Sequence, residues 1–193
     1  MSLVYGDNFI NNNTIESYAF PALLKNNNKL VNAKDLILPA TTLAVRCYKY
    51  MFSDCTSLVT APELPATTLA KECYNIMFSG CTSLVTAPEL PATTLAVRCY
   101  EYMFSGCTSL VTAPELPATY LVNFCYNVMF TGCTSLNYIK AMFTSTQSNY
   151  SYTAENWLKN VAATGTFVKN SEATWDNSEW GIPTGWTVET ASE

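Results

Sequence analysis

The chain has 193 residues, 49% of them apolar and 13% charged, with a formal charge of −5 and no histidine. That length holds one domain with a substantial core, and the apolar content excludes a disordered chain. The missing imidazole excludes Ser-His-Asp and Cys-His nucleophile systems and His-ligated zinc, and an acidic balance without a basic patch argues against nucleic acid as partner.

From the N-terminus, "MSLVYGDNFINNN" has no basic region followed by an apolar stretch, so no signal peptide is visible. No apolar run approaches about 20 residues, so no membrane span is expected. Residues 23–39 read as a degenerate first repeat, with Leu24, Asn27 and Leu30 at the Phe, Cys and Leu positions of the units that follow. Those units are 38–63, 64–89, 90–115 and 116–139, each a variant of "LPATTLAVRCYEYMFSGCTSLVTAPE" recurring at one fixed offset. Self-similarity at a fixed period of this length marks stacked repeats.

Within the second unit, Leu69, Cys73, Ile76 and Met77 follow i, i+4, i+7, i+8, which predicts a helix capped by Thr67 or Thr68. Gly80 suits a left-handed C-terminal turn, and Asp54 stands in its place in the first full unit. Phe78 falls off that stripe, so the helix is expected to end near Met77 with Phe78 turning inward. Leu84 to Ala87, stopped by Pro88, predicts a short strand. Parallel strands stack at about 4.8 Å and helices at about 8–10 Å, so the stack should curve with the strands inside. The expected architecture is a curved α/β solenoid of leucine-rich-repeat type, with one short parallel strand and one helix per unit. A cap over 1–37 would precede the solenoid at 38–139, and a Trp-rich α+β cap over 140–193 would follow it.

In the last segment the period fails and all four tryptophans appear: Trp157, Trp175, Trp180 and Trp186. Residues 153–165 read as a capped helix, and 166–170 and 186–190 as strands. The rings supply core area for the cap or, alternatively, a sugar-binding face.

Eight cysteines form two rows: Cys47, Cys73, Cys99, Cys125 and Cys55, Cys81, Cys107, Cys133. They read as small buried residues stacking between coils. Disulfides are the next reading, and metal the last, because the paired clustering of zinc sites is missing. Glu63, Glu89 and Glu115 make a carboxylate row, read as a solvated edge ahead of a cation site. Two rows are candidate binding surfaces. One is the inner strand face, Thr60, Thr86 and Thr112 with Tyr138. The other is the tyrosine row Tyr48, Tyr74, Tyr100 and Tyr126, with Tyr50 and Tyr102 beside it, which reads first as half-buried shielding of the seam between helices and second as an outer contact surface. "LPATT" resembles the sortase signal but is internal and lacks its glycine, so it is rejected. The three best units differ among themselves mainly at 45/71/97, 46/72/98, 49/75/101 and 50/76/102, most of which the helix phase places on its exposed or boundary side.

The motif "MFxxCTSLxxAPELP" resembles the cysteine-bearing repeats of BspA-like bacterial leucine-rich-repeat surface proteins, which share "FxxCxxL" spacing; the likeness covers about 38–139. This resemblance implies a secreted or cell-surface protein without enzymatic activity. The expected function is binding or adhesion to an extracellular protein or glycan, with no cofactor and no metal. A structural spacer or fibre-like component is the alternative, and a thiol-dependent redox or metal protein the third.

Overall fold

The structure, a computed structural model, describes residues 12–144, 153–174 and 181–192. Among these residues there is no α-helix, and the regular strands are three: β1 (Tyr138–Ala141), β2 (Thr166–Lys169) and β3 (Thr187–Thr190). The α/β solenoid of leucine-rich-repeat type, with a helix in every unit, is therefore corrected.

A ribbon of consecutive turns takes the place of each expected helix. In the first full unit, the amides of Met51, Ser53 and Cys55 donate to the carbonyls three residues back, at 3.2, 3.0 and 3.1 Å. The alternate amides of Tyr48, Tyr50 and Phe52 donate to Cys73, Asn75 and Met77 of the next unit, at 3.0, 3.0 and 2.9 Å. The same division recurs from the second unit to the third, where Tyr74, Ile76 and Phe78 donate to Cys99, Glu101 and Met103. An α-helix would send every one of these amides to the carbonyl four residues back. Here half of the backbone donors are satisfied locally and half by the neighbouring coil.

The ribbon repeats every four residues. Positive φ falls at Arg46, Tyr50 and Asp54, at Glu72, Ile76 and Gly80, and at the equivalent positions of the next two units. Two residues then point in and two out. Cys73, Tyr74, Met77 and Phe78 are all at most 1% exposed. The sequence spacing Leu69–Cys73–Met77–Cys81 is a strict four, which on a helix would drift about 120° over twelve residues. A helix buries one row of these side chains, whereas the ribbon buries two. The second row is aromatic and carries the larger apolar area. This is why Phe78 sits off the helical stripe: it belongs to the second inward row.

The aromatics stack in columns through the core. Phe20, Tyr48, Tyr74, Tyr100 and Tyr126 follow one another at 5.8–6.1 Å between ring centroids. Phe52, Phe78, Phe104 and Phe130 do so at 5.2–5.6 Å. Because hydrogen bonds set the coil spacing on the ribbon side as on the strand side, the mismatch that predicted curvature is gone.

The strand side is thinner than the sequence suggests. In place of a strand, the units are joined here by isolated bridges, in the series Asn32↔Thr60↔Thr86↔Thr112↔Tyr138, with a second, shorter series Thr14↔Thr42↔Thr68. Pro62, Pro88 and Pro114 follow two residues after Thr60, Thr86 and Thr112 and have no amide to extend the ladder. The unit that replaces "VTAPELP" with "NYIKAMF" forms the full strand β1. β1, β2 and β3 pair in parallel in that order, with Ile139 opposite Phe167 and Phe167 opposite Val188.

Both ends continue the stack. Phe20 and Leu24 donate to Cys47 and Met51, so Leu24 takes the place of Phe52, at a slightly longer offset than the full units keep. Residues 153–160 form no helix either. Their carbonyls at Thr153, Glu155 and Trp157 accept from Tyr126, Val128 and Phe130, and Asn156 and Asn160 supply the positive φ. Trp157 is fully buried, and Trp186 donates from Nε1 to Ala162 at 2.8 Å. Trp175 and Trp180 lie outside the described residues.

Candidate functional site

The ladder Thr60, Thr86, Thr112 and Tyr138 puts one exposed side chain per coil on the strand side. Val59, Val85 and Val111, one residue earlier, are 40–46% exposed and widen this face. The chain turns at the prolines that end each bridge, and the turns of two successive coils leave a cleft of about 320 Å³. Pro62, Leu64, Pro65, Ala87 and Pro88 give it an apolar lining, to which Thr60 and Thr86 also contribute. Glu63 and Glu89 also line it, both exposed and, among the described residues, without an ion pair. Glu115, next in the row, is engaged by Lys140 at 3.0 Å.

No protein-family model, curated protein or solved structure matches the chain. Among the described residues no helix is long and apolar enough to cross a membrane.

The structure separates the two candidate surfaces. Tyr48, Tyr74, Tyr100 and Tyr126 are each 1% exposed, in the stacked core column. The tyrosine row is thus corrected from a contact surface to core. Burial pushes the phenols of Tyr74, Tyr100 and Tyr126 well above their ordinary range, since no charge is tolerated there.

All eight cysteines are free and buried. In the second row the Sγ atoms of Cys55, Cys81, Cys107 and Cys133 donate to the carbonyls of Leu24, Phe52, Phe78 and Phe104, at 3.0–3.1 Å. Desolvation pushes Cys47, Cys73, Cys125 and Cys133 up to about 12, and Cys55, Cys81, Cys99 and Cys107 rise for the same reason. These are protonated thiols, unsuited to nucleophilic attack. No group of three His, Cys, Asp or Glu side chains among the described residues is placed to hold a metal ion.

One polar cluster escapes the sequence reading. Glu72 is 5% exposed and accepts from Arg46 Nε and Nη2 at 2.8 and 2.9 Å, and from Lys49 at 2.7 Å. The Arg46 hydrogen bonds, aided by Lys49, hold its carboxyl at about 2 against desolvation. Glu101, 6% exposed, accepts from Arg98 at 3.0 Å and from Asn75 at 3.0 Å. Its carboxyl is raised, because desolvation outweighs Arg98. These positions vary between units and look exposed on a helical wheel. The signal for the Arg46–Glu72 pair is the alternation Arg46, Glu72, Arg98 at one repeat position, whereas Glu101 pairs with Arg98 three residues earlier on its own coil. Each carboxylate is already matched to cations or amides of the chain itself, so the cluster is structural.

Proposed function

We propose that this chain is a non-enzymatic binding module of an exported repeat protein, and that it engages an extracellular protein or glycan along the ladder Thr60–Thr86–Thr112–Tyr138 and the adjoining cleft. The observation that carries this reading is the repetition of one short exposed side chain on successive coils beside an open apolar cleft. Its rivals for chemistry, the thiols, are buried and protonated. A ligand spanning several coils meets the same contact at each step, which gives avidity from weak individual contacts.

Thr86→Tyr tests the reading. Tyr138 already occupies the equivalent position, so a tyrosine fits the ladder while overhanging the cleft. The wild-type chain and the variant are screened on a glycan array and against purified extracellular proteins. A ligand held by the wild type and weakened about tenfold or more by Thr86→Tyr is the expected result. A ligand held equally by both, or no ligand across both panels, overturns it.

A further inference from the structure

The cleft itself narrows the class of partner, and this step rests on the reading above that the Thr60–Tyr138 face binds. We infer that the cleft between the first two full units docks an arginine side chain of a protein partner, its stem along the prolines and its guanidinium across Glu63 and Glu89.

Three observations converge. The apolar lining of Pro62, Leu64, Pro65, Ala87 and Pro88 offers little for the many hydroxyls of a sugar. Glu63 and Glu89 occupy the same repeat position on adjacent coils, three residues past the bridged pair Thr60↔Thr86, and both line the cleft. Like charges on neighbouring coils repel, and among the described residues no lysine or arginine answers either of them. The third carboxylate of the row, Glu115, has Lys140, and the buried Glu72 and Glu101 have Arg46, Lys49 and Arg98. Of the carboxylates in this row, the two that line the apolar cleft are thus the ones left unanswered. A guanidinium is planar, can bridge two carboxylates, and carries a stem that covers apolar surface. A cleft of about 320 Å³ takes such a side chain together with a flanking residue.

The test uses N-acetyl-arginine amide and its neutral isostere N-acetyl-citrulline amide, titrated into the full chain and followed by backbone amide NMR shifts. The arginine compound should move Ala61, Glu63, Ala87 and Glu89, half-saturating at about fivefold lower concentration than citrulline. That advantage should vanish in Glu63→Gln/Glu89→Gln and shrink at high salt. Glu172→Gln/Glu189→Gln removes the same charge from exposed positions elsewhere and should leave it intact. Equal binding of citrulline at the same amides overturns the cation and leaves the cleft as a docking face. An equal loss in the Glu172/Glu189 variant overturns the site in favour of general attraction. Failure of both compounds to move the cleft amides, while a ligand sensitive to Thr86→Tyr still binds, overturns this inference and leaves the proposed function standing.

Discussion

Glu72 and Glu101 show how burial and partners set the behaviour of single residues. Both are glutamates at most 6% exposed on the ribbon side, yet their carboxyls move in opposite directions. Glu72 has two cations within 2.8 Å, whereas Glu101 has Arg98 and an amide. A lowered carboxyl contributes stability that is present above its ordinary range, near 4.5, and lost as pH falls through about 2. Glu72→Gln should therefore cost about 1–3 kcal/mol at neutral pH, with the deficit shrinking between pH 4.5 and 2. Glu101 has the other sign. Its contribution is present below the ordinary carboxyl range and lost as pH rises through its raised value. Glu101→Gln, which keeps an acceptor for Asn75, should be neutral or stabilising by up to about 1 kcal/mol at pH 7, and the gain should vanish in acid. Urea unfolding of both variants from pH 2 to 7 checks the pair. The thiols allow a simpler measurement. At pH 8 a thiol reagent should find none of the eight cysteines reactive in the native chain and all eight after denaturation. Fast labelling of several native cysteines would remove the buried rows.

The turn ribbon is the element that sequence periodicity misread. Apolar residues at i, i+4, i+7 and i+8 fit a helix over two turns, and a single unit is too short for the difference between 3.6 and 4.0 to accumulate. The discriminating sign lies further along: Cys81 keeps the strict spacing of four and is fully buried. Glycine or aspartate once per unit, at Asp54, Gly80, Gly106 and Gly132, marks only the last of three positive-φ positions in each ribbon. The others hold residues that give no such sign, including Ile76 and Val128 with φ of 60° and 55°. A β-branched residue is costly there and asparagine is tolerated, as Asn156 and Asn160 illustrate. Ile76→Asn should raise the urea midpoint by the equivalent of about 1 kcal/mol. A helix would respond in the opposite direction, since asparagine is the poorer helix former. Gly80 is less tolerant, because its φ is 75° and a Cβ there would force the Asp54 carboxylate to move aside.

For the whole molecule the unit of stability is the coil. Core columns of Cys, Tyr, Met, Phe, Cys and Leu are the same in the full units, so one coil can replace another as a neighbour. Deleting residues 64–89 joins Glu63 to Leu90 in the native "APELPATT" context and should leave a chain that folds cooperatively. Its denaturant m-value should fall by about one eighth, in proportion to the chain removed. Deleting 64–85 breaks the period and should abolish cooperative unfolding. Much of this was legible in the sequence. The repeat gave the period, the residues that line up between coils and the threonine ladder, because each depends on like side chains recurring at a fixed offset. Strands β2 and β3 were legible from their own β-branched and aromatic residues beside turn signals. The Arg46–Glu72 pair was legible only as an alternation of sign, since these two meet across coils and not along one, whereas Arg98 and Glu101 are three residues apart on one coil. The sequence by itself determined that successive units stack and which side chains share a column. Only the tertiary structure decided that the chain between columns runs as turns and not as a helix. Helix and ribbon satisfy similar numbers of backbone groups, but in the ribbon every second amide finds its carbonyl on the next coil, nearly a whole repeat away. No local pattern reports a partner that distant, and the tyrosine row became core for the same reason.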